Sequence, residues 1–550
     1  MRRLCVGVIL AVAATSCSGG ASNSGATSGG AKTTAPPKPA TPARLVVAIV
    51  YDQFPSWAFA KYRELLSPDG ALRRTAARGS EHVVEFAHAG TYTAAGHSAI
   101  FTGVPPWQSG ISTNRVWSAK RGNRSIVDDG KHGVFGVKDA FGSPTMVKAD
   151  SVADALRKVH GTKAKIVGLS YKDRGAILTT GRKPDLALWY EKKLGAMTSS
   201  SYYAKAMPAW VSAWAKKNPI SNYYKDWSPA DPKRLKRLLG PDDAPGEGDY
   251  IGFGTTFPHN PITTMDPKKS FRLTPQSTDH LLDLARASVT QMKLGADDVP
   301  DLLVLSVSST DYIGHAFGPD SWEYVDHLIR IDAAVGKFLA ELEKKTSIAV
   351  MITSDHGVAQ LPERARHKLP KAGRIFPDDL PKQLNAAVVK ELGAGKWVAA
   401  YVQPFVYLTA KARVADKRAK AVNAVVTALN KLSTVHSAYD VRAAAGWRGD
   451  GDALKKSIAV AIADADLGDV IVVPGRGSVV DEDFPKGKGT SHGSPWPYDR
   501  QVPAVFAGPG VGKASTNAPL AQNRVAATLC KLLRIPPPKL IDSVAPLPGL

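Results

Sequence analysis

The chain has 550 residues, of which 44% are hydrophobic and 22% charged, and this composition is typical of a globular protein and excludes an intrinsically disordered one. Beyond the N-terminus, no run of residues approaches the roughly 20 apolar residues that a membrane-spanning helix requires. The formal net charge is +22, but the basic residues are scattered, so we expect a solvated basic surface that attracts anions and no nucleic-acid-binding module.

The N-terminus carries an export signal. Two arginines precede an apolar segment that ends in small residues before Cys17, which predicts a signal peptide over residues 1–17. This order resembles the bacterial lipoprotein signal, so we expect Cys17 to be lipidated; ordinary secretion is the alternative, because Ala14 stands where that signal usually has leucine. Residues 18–43 are rich in Gly, Ser, Thr and Pro and predict a flexible linker. We therefore expect a location in the cell envelope, on the outer face of the cytoplasmic membrane, or secretion.

Apolar runs of strand length recur along the remaining chain and are nearly continuous, as in strands that are covered on both faces. They are residues 45–50, 165–170, 302–308, 348–354, 469–474 and 502–508. Helical patterns lie between them, the clearest at residues 321–345, where apolar side chains recur at three- and four-residue spacing. The alternation predicts an α/β fold, a sandwich around a mostly parallel central sheet flanked by helices.

Two segments interrupt this alternation. Residues of about 180–275 are rich in Trp, Tyr, Pro and Lys, and residues of about 360–480 hold strands and a helix of their own. We interpret both as insertions that cover the sheet edge where such folds bind ligands, within one domain of residues 44–546. Cys530 is alone in an apolar run, so we expect it to be buried and expect no disulfide framework.

Aspartates and histidines recur at the ends of the predicted strands or in the loops beside them. They are Asp52, Asp311, His315, Asp355, His356 and His492. Taken singly, each is as readily a turn, capping or packing residue. Together they lie where the carboxyl ends of parallel strands meet, and mixed imidazole and carboxylate ligation suits catalytic zinc, so they predict two metal sites.

The segment TYTAAGHSAI, residues 91–100, places Thr93 just before a predicted helix. Thr93 either caps this helix or is a nucleophile. Two metal ions about 4 Å apart form a clamp for in-line displacement at phosphorus, and a metal ion lowers the pKa of a hydroxyl group. We therefore interpret Thr93 as a nucleophile beside the metal, at a helix N-terminus whose N–H groups face a phosphoryl group. Gly96 would permit a close approach, and His97 would be a supporting or packing residue.

Positive charge follows the strand at residues 165–170. In an extended segment Lys172 and Arg174 point to one side and Asp173 to the other, and the two cations would neutralise a phosphoryl dianion. The alternative is a surface turn in which Asp173 pairs locally. Asn114, in GISTNRVW, is either an amide donor to another phosphoryl oxygen or a turn residue.

Seven segments together resemble the alkaline phosphatase superfamily, and more narrowly its PafA-type (phosphate-irrepressible) alkaline phosphatases, which are related to the type I phosphodiesterase/nucleotide pyrophosphatases. These segments are VYDQ, TYTAAGHSAIFTG, GISTNRVW, SYKDRGA, SSTDYIGHAFGP, TSDHGV and GTSHGSPWPYDRQVP. They extend from about residue 45 to 510, nearly the whole mature chain. The resemblance implies an alkaline-phosphatase-like sandwich with inserted cap segments. It further implies a phosphate monoester hydrolase with two Zn²⁺ ions and a phosphothreonine intermediate.

The resemblance also implies a role for each candidate residue. One zinc ion would be bound by Asp311, His315 and His492. The other would be bound by Asp52, Asp355 and His356, with Thr93 beside it as the phosphorylated nucleophile. The transferred phosphoryl oxygens would be bound by Asn114, Lys172 and Arg174. One departure is Tyr51, which precedes Asp52 where a small or aliphatic residue is more usual; we expect it to point away from the site.

Other functions are weighed against this one. The main alternative is a phosphodiesterase or nucleotide pyrophosphatase that uses the same metals and nucleophile, but a diester carries one charge fewer, and the Lys172/Arg174 pair favours a monoester. A sulfatase requires a C/S-x-P-x-R context, which is absent around Thr93. A non-catalytic binding lipoprotein is disfavoured, because the nucleophile and all proposed ligands are present. We expect small phosphate monoesters as partners, membrane contact only through the lipid anchor, and a monomer.

Overall fold

The computed structural model describes residues 41–481 and 485–550. The expected signal peptide with Cys17, and residues 18–40 of the expected linker, lie outside the described residues, so export and lipidation stay predictions. Cys530 is buried with a free thiol, as expected. A search of the described residues finds no helix whose length and hydropathy would let it cross a membrane.

Strands and helices alternate along most of the described chain. The strands are β1 Leu45–Tyr51, β2 Ser80–Glu85, β3 Arg115–Ser118, β4 Gly122–Ser125, β5 Ile166–Ser170, β6 Leu186–Glu191, β7 Ala196–Thr198, β8 Asp301–Val307, β9 Ile348–Thr353, β10 Arg374–Ile375, β11 Val398–Val402, β12 Phe405–Leu408, β13 Val435–Asp440, β14 Val470–Pro474, β15 Val479–Val480, β16 Gln501–Ala507 and β17 Ala514–Ala521. The helices are α1 Ser56–Tyr62, α2 Ala71–Arg78, α3 Thr93–Thr102, α4 Pro106–Ser109, α5 Val152–His160, α6 Asp173–Ile177, α7 Ala209–Lys217, α8 Pro232–Leu239, α9 Pro267–Ser270, α10 Pro275–Met292, α11 Ser309–Phe317, α12 Trp322–Glu343, α13 Pro362–Ala365, α14 Leu380–Leu392, α15 Ala415–Asn430, α16 Val441–Ala445, α17 Ala453–Ala461, α18 Pro497–Arg500 and α19 Arg524–Leu532.

A sheet of nine described strands forms the centre, in the order β17-β2-β16-β9-β1-β8-β5-β6-β7. The strands from β9 to β6 in this order are parallel. By contrast, β16 is antiparallel to both of its neighbours and β7 is antiparallel to β6. The expected mostly parallel sheet is confirmed, with the run at residues 502–508 as an antiparallel exception.

The central strand β1 explains why the apolar runs are continuous. All seven of its side chains are buried, because helices cover both faces of the sheet. Alternate side chains enter two different cores: Leu45, Val47 and Ile49 pack with residues of α10 and α12, whereas Val46, Ala48 and Val50 pack with residues of α3 and α19. A strand with two buried faces needs apolar residues at every position.

The two interrupting segments have different structures. Residues 360–480 contain a smaller antiparallel sheet, in the order β11-β12-β14-β13, which builds its own core with α14 and α15. The run at residues 469–474, which we placed among the strands that alternate with helices, is β14 of this smaller sheet. In the other segment, β6 and β7 complete one edge of the central sheet. The domain boundaries given above stay predictions.

Candidate active site and metal centre

The candidate residues gather at the carboxyl ends of four adjacent strands. Asp52 follows β1, Asp355 follows β9, and Asp311 lies in the first turn of α11 after β8. Lys172 follows β5. Because β9, β1, β8 and β5 are neighbours and parallel, their ends lie side by side, as the general rule for open α/β sheets predicts.

The first cluster consists of Asp52, Asp355 and His356, whose ligand atoms all lie within 4.8 Å of one another. His356 Nε2 is 3.5 Å from Asp52 Oδ1 and 3.4 Å from Asp355 Oδ2. All three side chains are buried. This is the set that the family resemblance implies for one metal ion.

The second cluster differs in one member from the implied set. Asp311, His356 and His492 have ligand atoms within 4.8 Å of one another, and the rings of His356 and His492 stack with centroids 3.5 Å apart. His315 lies beside this cluster, with its Nε2 3.2 Å from Asp311 Oδ1. The structure therefore brings all six candidate ligands together and places His356 between the two clusters.

Backbone carbonyl groups orient the three imidazole rings. In each ring Nδ1 donates to a carbonyl oxygen, which leaves Nε2 directed at the carboxylates. The pairs are His315 to Thr490 at 2.7 Å, His356 to Gly357 at 2.9 Å and His492 to Thr91 at 2.7 Å. Such outer hydrogen bonds fix the tautomer and direction of histidines that bind metal ions.

The electrostatics of the clusters fit divalent cations. Among the described residues, Asp52 Oδ1 accepts no hydrogen bond, whereas Asp52 Oδ2 lies 2.7 Å from Lys172 Nζ and Asp355 Oδ2 lies 3.0 Å from His97 Nδ1. Burial raises the pKa of Asp52, and the carboxylates of Asp311 and Asp355 raise it further. Burial also lowers the pKa of His356 to about 3, so its imidazole is neutral, as a metal ligand must be. Buried carboxylates together with neutral imidazoles are a donor set that suits zinc.

Thr93 lies between the metal-ligand clusters and Lys172. It is the first residue of α3, with Tyr92 as N-cap, so the helix begins one residue earlier than we expected. The Thr93 hydroxyl group is buried, with Oγ1 3.4 Å from His356 Nε2 and 3.2 Å from Lys172 Nζ. This hydroxyl therefore lies against both a candidate metal ligand and a cation.

Lys172 is held more tightly by carboxylates than we expected. Its Nζ is 2.7 Å from Asp52 Oδ2 and 2.6 Å from Asp311 Oδ2. Burial alone would lower the pKa of Lys172, but the carboxylates of Asp311 and Asp52 raise it above its ordinary value. The side chain is therefore an ammonium ion that bridges the two clusters.

The expected alternation of Lys172, Asp173 and Arg174 is wrong. Lys172 has extended dihedral angles, but α6 begins at Asp173, so Arg174 belongs to a helix. Arg174 Nη1 lies 3.3 Å from Asp173 Oδ1, and Asp173 also accepts a hydrogen bond from Ser125. The local pairing of Asp173, which we gave as the alternative, is therefore present. Arg174 itself forms no hydrogen bond or ion pair with a described metal-ligand side chain.

Asn114 contacts the N-terminus of the helix that carries Thr93. Its Oδ1 accepts a hydrogen bond from the N–H group of Ala94 at 2.9 Å. The Ala94 N–H group that we expected to face a phosphoryl group is thus already used. The amide nitrogen of Asn114 remains as the donor that a phosphoryl oxygen requires.

Two supporting residues were given no ligand or catalytic role in the sequence analysis. Gln53 donates from Nε2 to Asp311 and from its backbone N–H to Asp355, both at 3.2 Å, with φ at +62°. A non-glycine residue in this strained region often marks a functional site. His97 lies with Nδ1 3.0 Å from Asp355 Oδ2 and Nε2 2.9 Å from Ser306 Oγ. The supporting role of His97 was expected from its place in TAAGH, whereas the signal for Gln53 was its position directly after Asp52.

Tyr51 packs in the apolar core and not in the site. It is buried, and its ring lies 5.9 Å from that of Phe54, centroid to centroid. Burial raises the pKa of its hydroxyl group, and the carboxylate of Asp332 raises it further. The unusual tyrosine before Asp52 is therefore accommodated by the core, as we expected.

Comparison with known proteins agrees with this arrangement. Residues 46–495 match the family described as "Type I phosphodiesterase / nucleotide pyrophosphatase". The chain is 30% identical to alkaline phosphatase PafA of Elizabethkingia meningoseptica, over 92% of this chain and 94% of that protein. It is 29% identical to alkaline phosphatase PhoV of Synechococcus elongatus, over 90% of each. A crystal structure of PafA superposes with a TM-score of 0.83 at 28% identity, over 94% of this chain and 100% of that chain.

The matched region contains every candidate residue, from Asp52 to His492. The resemblance to PafA-type enzymes is therefore confirmed, together with the α/β fold that it implies. The chain belongs to the type I phosphodiesterase/nucleotide pyrophosphatase family, and it is a metal-dependent phosphoester hydrolase similar to the alkaline phosphatases.

Proposed function

We propose that this protein is an alkaline phosphatase that hydrolyses phosphate monoesters, with Thr93 as nucleophile and two Zn²⁺ ions as cofactors. The observation that carries the proposal is the position of Thr93 Oγ1, 3.4 Å from His356 Nε2 and 3.2 Å from Lys172 Nζ. His356 is common to both metal-ligand clusters. A hydroxyl group at this position is the one that bound cations would activate.

The reaction follows from the residues around Thr93. The threonine oxygen attacks phosphorus, the bond from phosphorus to the ester oxygen breaks, and the alcohol leaves. Water then attacks the phosphorus of the phosphothreonine. Inorganic phosphate is released, and the Thr93 hydroxyl group is restored. When bound, zinc ions supply positive charge that lowers the pKa of the threonine hydroxyl group and stabilises the leaving oxygen.

The protein's own cations and amide complete the site. Lys172 donates to the Thr93 hydroxyl group and Asn114 accepts from the neighbouring Ala94 N–H group; together with Arg174 they would bind the phosphoryl oxygens. Because Lys172 pairs with Asp52 and Asp311, binding of metal ions to those carboxylates would release the ammonium ion to the phosphoryl group. A dianionic monoester gains more from these cations than a monoanionic diester, which favours the monoester.

Trapping the covalent intermediate tests the proposal. The purified enzyme is incubated with a labelled aryl phosphate, quenched in acid and digested, and the labelled peptide is sequenced. We expect phosphate on Thr93 and zinc in the protein by elemental analysis. Thr93→Ala should abolish both labelling and turnover, whereas Thr102→Ala, at the other end of α3, should preserve both. Label on another residue, or undiminished turnover by Thr93→Ala, would contradict the proposal.

We also propose export, since the N-terminal sequence has the order of a signal peptide, with lipidation at Cys17. In cell fractionation the activity should be found in the envelope. Cys17→Ala should release the enzyme from the membrane fraction without changing its activity. An unchanged membrane-bound fraction would contradict lipidation at this residue.

A further inference from the structure

A cavity of about 480 Å³ opens beside the candidate phosphoryl-binding residue Asn114. One wall is formed by Tyr92, which precedes Thr93, and by Asn114 and Arg115. The facing wall comes from the segment of residues 360–480 and includes Phe376 and Tyr401. This volume lies in the range of small-molecule sites, and its position places it where the alcohol part of an ester bound at Thr93 would lie.

Arg115 lines this cavity and forms no ion pair with a described carboxylate. Its Nε donates to Asn123 Oδ1 at 2.9 Å and its Nη2 to the Asn123 carbonyl oxygen at 3.2 Å. Across the described chain, no carboxylate lies within the 4.0 Å of Arg115 that defines an ion pair. Nη1 and the outer edge of the guanidinium group therefore remain available to an anion.

Of the other charged groups that line the cavity, Lys486 and Asp481 are paired, whereas the carboxylate of Asp378 is in no described ion pair. Lys486 Nζ lies 2.9 Å from Asp379 Oδ2. Asp481 faces Arg374, with 3.6 Å between its Oδ1 and Arg374 Nε, and accepts a hydrogen bond from the Gly487 N–H group. Among the described lining residues, Arg115 is therefore the cation that forms no ion pair.

Arg115 lies near the site of the proposed reaction, because it follows Asn114 in the chain. Arg115 directly follows Asn114, and consecutive Cα atoms are about 3.8 Å apart. Asn114 in turn accepts from Ala94, the neighbour of Thr93, at 2.9 Å. Because Tyr92, Asn114 and Arg115 line one cavity of about 480 Å³, a phosphoryl group bound beside Asn114 and an anion at Arg115 can belong to one small molecule.

We propose that this cavity binds the leaving group of the ester and that Arg115 recognises a second anionic group on it. The substrate class is then phosphate monoesters whose alcohol part itself carries a negative charge. This inference rests on the proposed monoesterase activity and adds a specificity-determining residue to it. Arg115 binds the part of the substrate that leaves and takes no part in bond breaking.

A matched pair of substrates tests the inference with the purified full-length enzyme. Meta-carboxyphenyl phosphate and meta-carbamoylphenyl phosphate have nearly the same shape and differ in one negative charge. At low ionic strength we expect kcat/KM to be about threefold to tenfold higher for the carboxylate, as for a partly exposed charge-assisted hydrogen bond. Arg115→Ala should bring the ratio to about one, and Arg115→Lys should keep part of it.

Lys120→Ala is the control, because Lys120 lies in the turn of the same hairpin, is exposed and does not line the cavity. It removes the same charge and should leave the ratio unchanged. A wild-type ratio of about one, or an equal fall in Arg115→Ala and Lys120→Ala, would overturn the inference while the monoesterase activity stands. Failure of the wild-type enzyme to hydrolyse either ester would instead overturn the proposed function, and this inference with it.

Discussion

At the scale of single residues, Lys172 is the side chain that contacts both metal-ligand clusters and the Thr93 hydroxyl group. Its ammonium group is buried, within 2.7 Å of Asp52 and 2.6 Å of Asp311, and donates to the Thr93 hydroxyl group. Burial opposes its charge, but the two carboxylates raise its pKa above the ordinary value. The two carboxylates therefore hold Lys172 as an ammonium ion in this structure, beside the hydroxyl group that would attack the phosphoryl group.

The two cations should discriminate between ester classes. We expect Lys172→Ala and Arg174→Ala each to lower kcat/KM for an aryl phosphate monoester by about 10²-fold, as for removal of one charged donor to a transition state. The loss for a methyl aryl phosphate diester should be much smaller, because the diester has one charge fewer to neutralise. Parallel assays of both esters measure this difference. Equal losses for the two esters would count against the monoesterase assignment. The control is Arg182→Ala, because Arg182 pairs with Asp150 outside the site.

His97 should act through the metal ligand Asp355. Its Nδ1 lies 2.8 Å from the Thr93 carbonyl oxygen and 3.0 Å from Asp355 Oδ2, and its Nε2 lies 2.9 Å from Ser306 Oγ, so it is placed behind the carboxylate without a position in the clusters. We expect His97→Ala to weaken zinc affinity by about 10–100-fold, as for other residues behind metal ligands. Competition with a chelator measures this affinity directly. Added zinc should restore activity to His97→Ala but not to Thr93→Ala, and an unchanged affinity would contradict the role.

At the scale of elements, α3 is positioned by a close approach of two backbones. A Cβ atom at Gly96 would lie 2.1 Å from the carbonyl oxygen of Asp355. Only glycine lets the helix that carries Thr93 lie directly against the loop that carries Asp355 and His356. The glycine in TAAGH is therefore a requirement of packing between elements.

Gly96→Ala should separate α3 from this loop. We expect the free energy of unfolding to fall by about 1–3 kcal/mol, the usual cost of overpacking, and turnover to fall as Thr93 moves away from His356. Urea unfolding and steady-state kinetics measure the two effects. Gly133→Ala is the matched control, because a Cβ there meets no atom within 4 Å. Identical behaviour of the two variants would show that the close approach has no energetic consequence.

The segment after β5 shows where sequence periodicity fails at this scale. Lys172, Asp173 and Arg174 alternate correctly only if the chain stays extended, but the helix α6 begins at Asp173. Asp173 has a favourable place in the first turn of that helix, and it accepts a hydrogen bond from Ser125 of β4. Ser125 is 48 residues away in the chain, so no pattern within the segment contains this contact.

At the scale of the whole molecule, buried neutral histidines couple folding to pH. His88 is buried with its ring against Phe86, and burial, with the nearby charge of Arg500, lowers its pKa to about 3. In the unfolded chain the pKa returns to its ordinary value near 6.5. The stability that His88 provides is thus fully present above about pH 6.5 and is lost as the pH falls from there towards 3.

His88→Phe should flatten the pH dependence of folding. The difference in the free energy of unfolding between variant and wild type should shift in favour of the variant by up to about 1.4 kcal/mol for each pH unit below 6.5. Comparison of the variant with the wild type isolates this residue from the other titrating groups. Urea unfolding at several pH values between about 7 and 4 measures the shift. Parallel curves for the two proteins would contradict it.

The sequence by itself determined where the buried strands lie and which residue types stand at their ends. Continuous apolar runs are typical of strands buried in an α/β protein, and Asp52, Asp311 and Asp355 follow such runs within three residues. The order of the motifs was enough to identify the family, because residue type and spacing are properties of the chain alone. These features needed no coordinates.

Only the tertiary structure decided how the histidines are shared between the carboxylates. Spacing groups His315 with Asp311, four residues earlier, and the structure places His315 Nε2 3.2 Å from Asp311 Oδ1; what spacing does not contain is that His356 belongs to both clusters. The direction of each ring is set by a hydrogen bond from Nδ1 to the carbonyl oxygen of Thr91, Gly357 or Thr490. Every residue has a carbonyl oxygen, so its use as an acceptor leaves no mark in the sequence and appears only once the chain has folded.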